Sequence, residues 1–296
     1  MSPVSKKPVV ISIIILAVIA VGIFFFVRSQ KKTEIIPKPV EVVKPLGPKY
    51  EVIGTSVQGR KIGAYTYGTG STSILFAGGM HGGYEWNSVL LAYDFIDYLN
   101  ANPKFVPNGL SIVVVPDINP DGVFLVTGKD GRFTEADVST STKTLVSGRF
   151  NADGVDLNRN FACNWKPKST WQNKVVSAGT EAFSEPEAVA VRDLVLKDKP
   201  VAAIFWHSQS GTVYASECNE GIIPSDLDIM DAYAKAAGYA TNKIFDSYSI
   251  TGDSEGWLAA IGIPAITVEL KTHNTVEWNQ NLAGIKSVLT YFSPKK

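Results

Sequence analysis

Short apolar runs alternate with helical patterns along most of this chain, and this alternation restricts the fold more than any other feature. Ser73–Ala77 and Ser111–Val115 are rich in β-forming residues and are bounded by glycine or proline, which predicts two buried strands. Between them, apolar residues recur at helical spacing and predict a helix over 86–100. The pattern is typical of an α/β fold whose central sheet is covered by helices on both faces.

The alternation continues to the end of the chain. A capping box begins at Ser184, and Pro186 stands in the turn that follows it, so a helix is predicted over about 185–197. The remaining predicted elements are strands at 201–206 and 265–270 and helices after Ser225 and over 276–292. Ligands in folds of this kind bind outside the carboxyl ends of the strands.

A run of 19 uncharged, mostly apolar residues, Val9–Val27, precedes this region. As a helix it would reach roughly 28 Å, close to the ~30 Å hydrocarbon core of a bilayer. The run is longer than the apolar stretch of a cleaved signal peptide, and its aromatic end is a poor cleavage context. We therefore predict an uncleaved transmembrane signal-anchor over 8–28, with a cleaved signal peptide or a buried core helix as the alternatives.

The rest of the chain then divides into three segments. Residues 1–7 form a short N-terminal tail. Residues 29–48 contain four prolines with interleaved charges, which predicts a semi-rigid linker because such a segment does not easily form a helix or a central strand. Residues 49–296 are a sensible length for one folded domain.

Charge and composition exclude several classes of protein. The chain has 28 basic and 28 acidic residues, so a nucleic-acid binder that neutralises many phosphates is not expected. Two cysteines are too few for a disulfide-dense scaffold or a four-thiolate zinc site. Three histidines are enough for a single catalytic metal centre.

Polar side chains stand at or near the ends of three predicted strands. His81 and Glu85 follow the first strand, His207 follows the strand at 201–206, and Glu269 lies near the end of the last one. Two histidines and one carboxylate match the composition of a catalytic zinc site, which leaves Glu269 to take a proton from water. A hydrogen-bonded core histidine and a glutamate favoured in the first turn of a helix are alternative interpretations.

Several motifs, in order, resemble the zinc carboxypeptidase family, the carboxypeptidase A-like metallopeptidases. The resemblance covers roughly residues 49–296, and its matching segments are GGMHGGYEW, NPDG, RFNADGVDLNRNF, FSEPE, FWHS, YSITG and ITVEL. It implies the family's α/β fold, with a mixed, mostly parallel central sheet, and one Zn²⁺ per chain. It also implies hydrolysis of the C-terminal peptide bond of peptides that carry a free carboxylate.

The resemblance also implies roles at matching positions. The metal ligands would be His81, Glu85 and His207, and Glu269 would be the general base. Other roles would be a carboxylate that orients a ligand histidine (Asp156), a cation for the oxyanion (Arg149), a clamp on the terminal carboxylate (Asn158 and Arg159) and a mobile tyrosine over the bound residue (Tyr248).

Two departures from the family pattern affect these assignments. The family usually has two residues between the first histidine and the glutamate, whereas three separate His81 from Glu85 here; two of them are glycines, which allow the loop to absorb the extra residue. Gly256 stands where the family often has an acid, and Glu255 occupies a position that lines the side-chain pocket in related enzymes. An acidic pocket wall would favour Lys, Arg or a diamino acid, with a solvated helix residue as the alternative for Glu255.

Both cysteines flank the predicted site. Cys163 follows the NRNF motif and Cys218 lies in a loop after the His207 strand, so a disulfide between them is expected. Such a bond would suit a domain outside the cytoplasm, held at the cell surface or in the periplasm by a single membrane span. The catalytic domain is expected to be monomeric, and His273 is expected at the rim of the site or on the surface.

Other functions compete with this interpretation. Within the family, the substrate could be a cell-wall peptide, cut by a murein peptide amidase or a D,L-carboxypeptidase. A non-catalytic peptide-binding module at the cell surface is more remote. A serine hydrolase is suggested by a G-x-S-x-G match around Ser254, followed by Glu269 and His273 in the order of a triad, although no convincing strand leads into it.

Overall fold

A computed structural model of the chain describes Gly22 and residues 48–219 and 221–293. Apart from Gly22 and Pro48, the expected anchor over 8–28 and linker over 29–48 lie outside the described residues. Among the helices that the structure describes, none combines the length and the apolar character needed to cross a bilayer.

The described residues form twelve strands and seven α-helices. The strands are β1 (Lys49–Thr55), β2 (Lys61–Gly68), β3 (Thr72–Ala77), β4 (Leu110–Val115), β5 (Lys168–Trp171), β6 (Lys174–Ser177), β7 (Ala202–Ser208), β8 (Thr212–Ala215), β9 (Glu217–Cys218), β10 (Gly221–Ile222), β11 (Ala240–Asn242) and β12 (Ala265–Leu270). The helices are α1 (Trp86–Ala101), α2 (Pro120–Thr127), α3 (Thr142–Ser147), α4 (Pro186–Asp198), α5 (Pro224–Ala237), α6 (Ser254–Ala260) and α7 (Trp278–Phe292).

Eight strands form one mixed sheet in the spatial order β1-β2-β4-β3-β7-β12-β8-β11. Its centre is parallel, since β4, β3, β7 and β12 pair in the same direction, and antiparallel pairs join β1, β2 and β8 to it. The predicted mixed α/β fold is confirmed. The predicted strand at 265–270 matches β12, and that at 201–206 lies one to two residues earlier than β7.

The two faces of the central strands bury different side chains, as alternation along a strand requires. Phe76 and Trp206 face a core that includes residues of α1, α5 and α7, and their rings stack at 5.5 Å. Leu75 and Phe205, their neighbours in the chain, face a second core that includes residues of α4 and α6. Helices therefore cover both faces of the sheet, which explains why the central strands are apolar throughout.

The neighbouring positions of β3, β7 and β12 bring three chain segments together at one edge of the sheet. Glu269 of β12 lies in register with His207 of β7, and Ala77 at the end of β3 pairs with Phe205. The turn after β3 requires glycine at Gly82, where φ is +46° and a Cβ atom would lie 2.6 Å from the Gly148 carbonyl oxygen. This turn continues as a 3₁₀ turn over Gly82–Glu85 and places Glu85 beside His207.

Candidate active site

A histidine–glutamate–histidine group lies at this edge of the sheet. The potential ligand atoms of His81, Glu85 and His207 all lie within 4.8 Å of one another. The three residues are 3%, 3% and 2% exposed. Two imidazoles and a carboxylate that converge from separate elements form the ligand set of a catalytic zinc site.

Unpartnered polar atoms concentrate around this group. Within the part of the chain that the structure describes, six buried side-chain nitrogen or oxygen atoms lack a hydrogen-bond partner. Four of them are His81 Nδ1, His207 Nε2, Asp156 Oδ1 and Glu269 Oε2. Because buried polar atoms are nearly always partnered in native proteins, this concentration fits a site that takes a metal ion and a polar substrate.

The two histidines have opposite electrostatic environments. Burial, together with the nearby Arg149 cation, lowers the pKa of His81 well below its ordinary value. Burial also opposes the charged form of His207, but the neighbouring Glu255 carboxylate and the hydrogen bond to Glu85 outweigh it and raise the pKa of His207 well above its ordinary value. The Glu85 and Glu255 carboxylates beside His207 therefore add negative charge where a divalent cation would bind.

Asp156 and Arg149 form a buried ion pair against the histidine–glutamate–histidine group. Arg149 Nε and one terminal nitrogen each lie 2.9 Å from Asp156 Oδ2, and the other terminal nitrogen lies 3.5 Å from Glu85 Oε1. The second oxygen of Asp156 lies 3.5 Å from His81 Nδ1. Asp156 therefore contacts both His81, a predicted metal ligand, and Arg149, the predicted cation for the oxyanion.

Arg159 is buried without a carboxylate partner. It is 2% exposed, and its nitrogens donate to the carbonyl oxygens of Thr170 and Asn158, with no acidic side chain within 4.0 Å among the described residues. The neighbouring Asn158 side-chain oxygen accepts a hydrogen bond from the Ser254 backbone N–H (2.8 Å) and lies 3.0 Å from the Ser254 hydroxyl oxygen. A buried guanidinium whose charge is balanced only by neutral carbonyls favours an anionic ligand.

The β5–β6 hairpin contacts both arginines, a role that no sequence motif predicted. The Trp171 ring lies 4.5 Å from the Arg149 guanidinium, and Thr170 of the same strand accepts both hydrogen bonds from the Nε side of Arg159. Trp171 also contacts Tyr84 edge-on at 5.2 Å. The sequence around Trp171 carries no recognised motif, so only the folded structure reveals its contact with Arg149.

Glu269 and Tyr248 line the same cavity as the metal-binding group. Burial raises the pKa of Glu269 to about 8, and the neighbouring Glu85 carboxylate contributes in the same direction. Burial likewise raises the pKa of Tyr248, whose ring packs against Phe245 at 4.8 Å. The cavity has a volume of about 640 Å³, and both arginines contribute to its lining.

Glu255 also lines this cavity, but its carboxylate is held by the protein. One oxygen lies 3.3 Å from His207 Nε2 and accepts a hydrogen bond from Thr267, and the other accepts one from Ser254. The structure thus brings together every residue that the sequence assigned to the site. It adds Trp171, Thr170 and Thr267 as contacts that no motif indicated, and it gives Ser254 a contact with Glu255 in place of the nucleophile role of the alternative triad.

Two further expectations can be compared with the geometry. Cys163 and Cys218 form a disulfide and both line the cavity. His273 lies at the cavity with its Nδ1 atom 2.7 Å from the Ser208 hydroxyl, whereas the Ser254 hydroxyl contacts Asn158 and Glu255. The serine, glutamate and histidine of the alternative triad are therefore not assembled as a nucleophile and its base.

Comparison with known proteins agrees with this geometry. The sequence profile of the zinc carboxypeptidase family matches residues 45–295. The chain belongs to the zinc carboxypeptidase family. It is a peptide hydrolase, and its metal is zinc, for which the histidine–glutamate–histidine group is suited.

Relatives of this chain include enzymes named for cell-wall peptides. It is 26% identical over 243 residues to γ-D-glutamyl-L-diamino acid endopeptidase 1 of Lysinibacillus sphaericus, covering 74% of this chain and 59% of the relative. It is 29% identical over 157 residues to murein peptide amidase A of Escherichia coli K12, covering 50% of this chain and 61% of the relative. The match thus spans about three-fifths of the length of each of these two relatives.

Solved structures share the fold. Murein-tripeptide amidase from Escherichia coli O157 has a TM-score of 0.61 at 22% identity, covering 84% of this chain and 94% of that structure. Bovine thrombin-activatable fibrinolysis inhibitor, solved with a tick carboxypeptidase inhibitor, has a TM-score of 0.67 at 20% identity, covering 83% and 90%. At these identities the likeness concerns the fold.

Proposed function

We propose that this protein is a zinc metallocarboxypeptidase that removes the C-terminal residue of peptides with a free terminal carboxylate. The observation that carries the proposal is Arg159: a buried guanidinium without an acidic partner, lining the same cavity as the histidine–glutamate–histidine group. A planar guanidinium suits the two oxygens of a carboxylate. Internal cleavage would give this charge no anionic partner at the position that Arg159 occupies.

The chemical step is assigned to the zinc ion and to Glu269. When His81, Glu85 and His207 hold it, zinc supplies Lewis acidity and lowers the pKa of a water molecule. Glu269 accepts a proton from the attacking water at its unpartnered Oε2 atom and returns that proton to the leaving amine. Burial raises the pKa of Glu269, which makes its carboxylate a stronger base than an exposed one.

The remaining residues bind and orient. Arg159 holds the terminal carboxylate, with Asn158 beside it, and Tyr248, which lines the same cavity, closes over the bound residue. Arg149 offsets the negative charge that develops on the carbonyl oxygen, and its ion pair with Asp156 keeps it in position. Asp156 also orients His81 through its second oxygen.

A cell-wall peptide is the second candidate substrate, acted on as by a murein peptide amidase or a D,L-carboxypeptidase. Two curated relatives are named for such substrates, and the lining of the cavity includes the acidic residues Asp253 and Glu217. Acidic groups at that position favour a cationic or diamino residue over an apolar one. This candidate differs from the first in substrate and not in chemistry.

The domain is proposed to work outside the cytoplasm as a monomer, held by the apolar segment over 8–28. The disulfide between Cys163 and Cys218 supports an oxidising compartment. Fractionation of cells that express the full chain, with protease protection of the catalytic domain, tests this placement. Degradation of the domain only after the cytoplasm is opened would contradict it.

The test of the function combines metal analysis with substrate release. Purified protein is expected to bind one zinc per chain, to lose activity on chelation and to recover it with added Zn²⁺. Release of the C-terminal residue is measured on a mixed set of free-acid peptides and on purified cell-wall peptides. A serine-directed fluorophosphonate is expected to have no effect; inactivation by it, with full activity after chelation, would overturn the proposal.

A further inference from the structure

Glu255 occupies an unusual position, because it lines the cavity but is almost fully buried and its carboxylate is held by other side chains. It begins near the N-terminus of α6 and is 3% exposed. One oxygen accepts a hydrogen bond from the Thr267 hydroxyl at 3.0 Å, and the other accepts one from the Ser254 hydroxyl at 2.8 Å. Both oxygens are therefore engaged by the protein before any substrate enters.

The carboxylate of Glu255 lies against His207 on the side opposite Glu85. Its Oε1 atom is 3.3 Å from His207 Nε2, while Glu85 Oε2 is 3.0 Å from His207 Nδ1. An imidazole that binds a metal through one nitrogen keeps an N–H on the other, and a carboxylate there fixes the ring and its tautomer. His81 has a carboxylate of this kind in Asp156, at 3.5 Å.

A chain of polar contacts connects Glu255, through Ser254, to Asn158. The Ser254 hydroxyl lies between Glu255 Oε2 at 2.8 Å and Asn158 Oδ1 at 3.0 Å. Asn158 is the neighbour of Arg159 in the 3₁₀ turn over Leu157–Arg159. The contact of His207 with Glu255 thus belongs to the same network that holds the residues beside the substrate carboxylate.

We propose that Glu255 is a positioning residue, which holds the ring of His207 through Nε2 and so strengthens zinc retention, and that it does not read the side chain of the substrate. This inference rests on the proposed function only in that His207 is taken as a zinc ligand. It gives each ligand histidine its own carboxylate: Asp156 for His81 and Glu255 for His207. Selectivity for a cationic residue would then arise from the cavity's other acidic groups.

Zinc retention distinguishes this role from substrate recognition. The rate at which zinc passes from the protein to a chelator is measured for the wild type, Glu255→Gln and Glu255→Ala. Loss of a carboxylate behind a ligand histidine typically lowers metal affinity by roughly 10- to 100-fold. We expect Glu255→Ala to lose zinc faster by that order, and Glu255→Gln to show a smaller increase because its amide oxygen still accepts a hydrogen bond from the ring.

Two controls separate a local effect from a general loss of structure. Glu217→Gln removes an exposed carboxylate that lines the same cavity, and zinc loss at the wild-type rate is expected. Thr267→Val keeps Glu255 but removes one of its partners, so a small increase in the rate of zinc loss is expected. The visible spectrum of the cobalt-substituted protein reports the ligand geometry directly and should change in the Glu255 variants alone.

A change in substrate specificity is the outcome that would oppose the proposal. The ratio of kcat/KM for peptides ending in Lys and in Phe is measured for each zinc-loaded variant. An unchanged ratio with faster zinc loss supports the proposal. A ratio that shifts towards Phe, with zinc loss and cobalt spectrum like the wild type, would overturn it. A wild-type protein that binds zinc but releases no C-terminal residue would refute the proposed function, while the zinc and cobalt measurements would still decide the role of Glu255.

Discussion

Arg149 and Arg159 line the same cavity, and the difference between their partners indicates different roles in the site. Both are almost fully buried and both contact the β5–β6 hairpin. Arg149 is paired with Asp156 and lies near Glu85, whereas Arg159 has only carbonyl partners among the described residues. The charge of Arg149 is therefore paired within the protein, whereas the charge of Arg159 awaits an anionic substrate.

The largest effect is expected from Glu269→Gln on the metal side. It removes the group that takes the proton from water, so kcat should fall roughly 10²- to 10⁴-fold, while zinc content and KM change little. Steady-state kinetics on a free-acid peptide, with zinc analysis of the same sample, measure this. An unchanged kcat in a fully zinc-loaded variant would show that Glu269 is not the base.

Arg159→Lys tests the other side of the comparison. Lysine keeps the charge but loses the planar fork, so KM for free-acid peptides should rise roughly 10- to 100-fold, the cost of a charge-assisted hydrogen bond, and kcat should change less. Arg132→Lys, which alters an arginine paired with Asp97 at the surface, is the matched control. If kcat fell and KM stayed constant, Arg159 would belong to the chemical step and not to carboxylate binding.

A smaller effect is expected from Trp171→Leu in the hairpin. The change removes the aromatic face beside Arg149, an interaction of about 0.5–2 kcal/mol, so kcat should fall about 3- to 30-fold with little change in KM. Val175→Ala, an exposed position of the same hairpin, is the control and should match the wild type. A rise in KM alone would indicate that Trp171 acts through Arg159.

The smallest effect on activity is expected at Asp117, a buried carboxyl group outside the cavity. A change at this position should instead alter stability. Asp117 is 6% exposed, and neither of its oxygens has a hydrogen-bond partner among the described residues. Burial raises the pKa of Asp117 from an ordinary 3.8 to about 8. In the folded protein this carboxyl holds its proton up to about pH 8, whereas in the unfolded chain it ionises near pH 4.

The raised pKa fixes the sign of the pH dependence. The contribution of Asp117 to stability is full below pH 4 and is lost as the pH rises to about 8, by up to about 1.4 kcal/mol per pH unit. Asp117→Asn does not titrate, so its stability relative to the wild type should increase between pH 5 and pH 8 while activity is unchanged. Urea unfolding at these pH values measures it, with the exposed Asp153→Asn as control; parallel curves would contradict the assignment.

The parts of the fold that the sequence predicted are those with buried, apolar faces. The central strands and α1 are apolar over whole runs, so their patterns predicted them to within about two residues. The outer strands β1, β2, β8 and β11 and the β5–β6 hairpin mix polar and apolar residues, and none was predicted. Their pairing depends on neighbours distant in the chain, which a local pattern does not record.

The site residues also divide into those that the sequence motifs predicted and those whose contacts depend on the fold. His81, His207 and Glu269 stand at or near strand ends, and their motifs predicted them. Glu255 was assigned by its position in the family pattern, but that position does not reveal the direction of its side chain. Its contact with His207 depends on how α6 meets β7 and β12, and the contacts of Trp171 with Arg149 depend on how a hairpin folds over the cavity.

Hydrolysis of two peptides that differ only at their C-terminus tests the central claim most directly. The zinc-loaded protein is incubated with a free-acid peptide and with the same peptide carrying a C-terminal amide, and the products are identified by mass spectrometry. Release of the last residue from the free-acid peptide alone, abolished by chelation, is the predicted result. Equal cleavage of both peptides, or cleavage at an internal bond, would contradict a carboxypeptidase that holds the terminal carboxylate on Arg159.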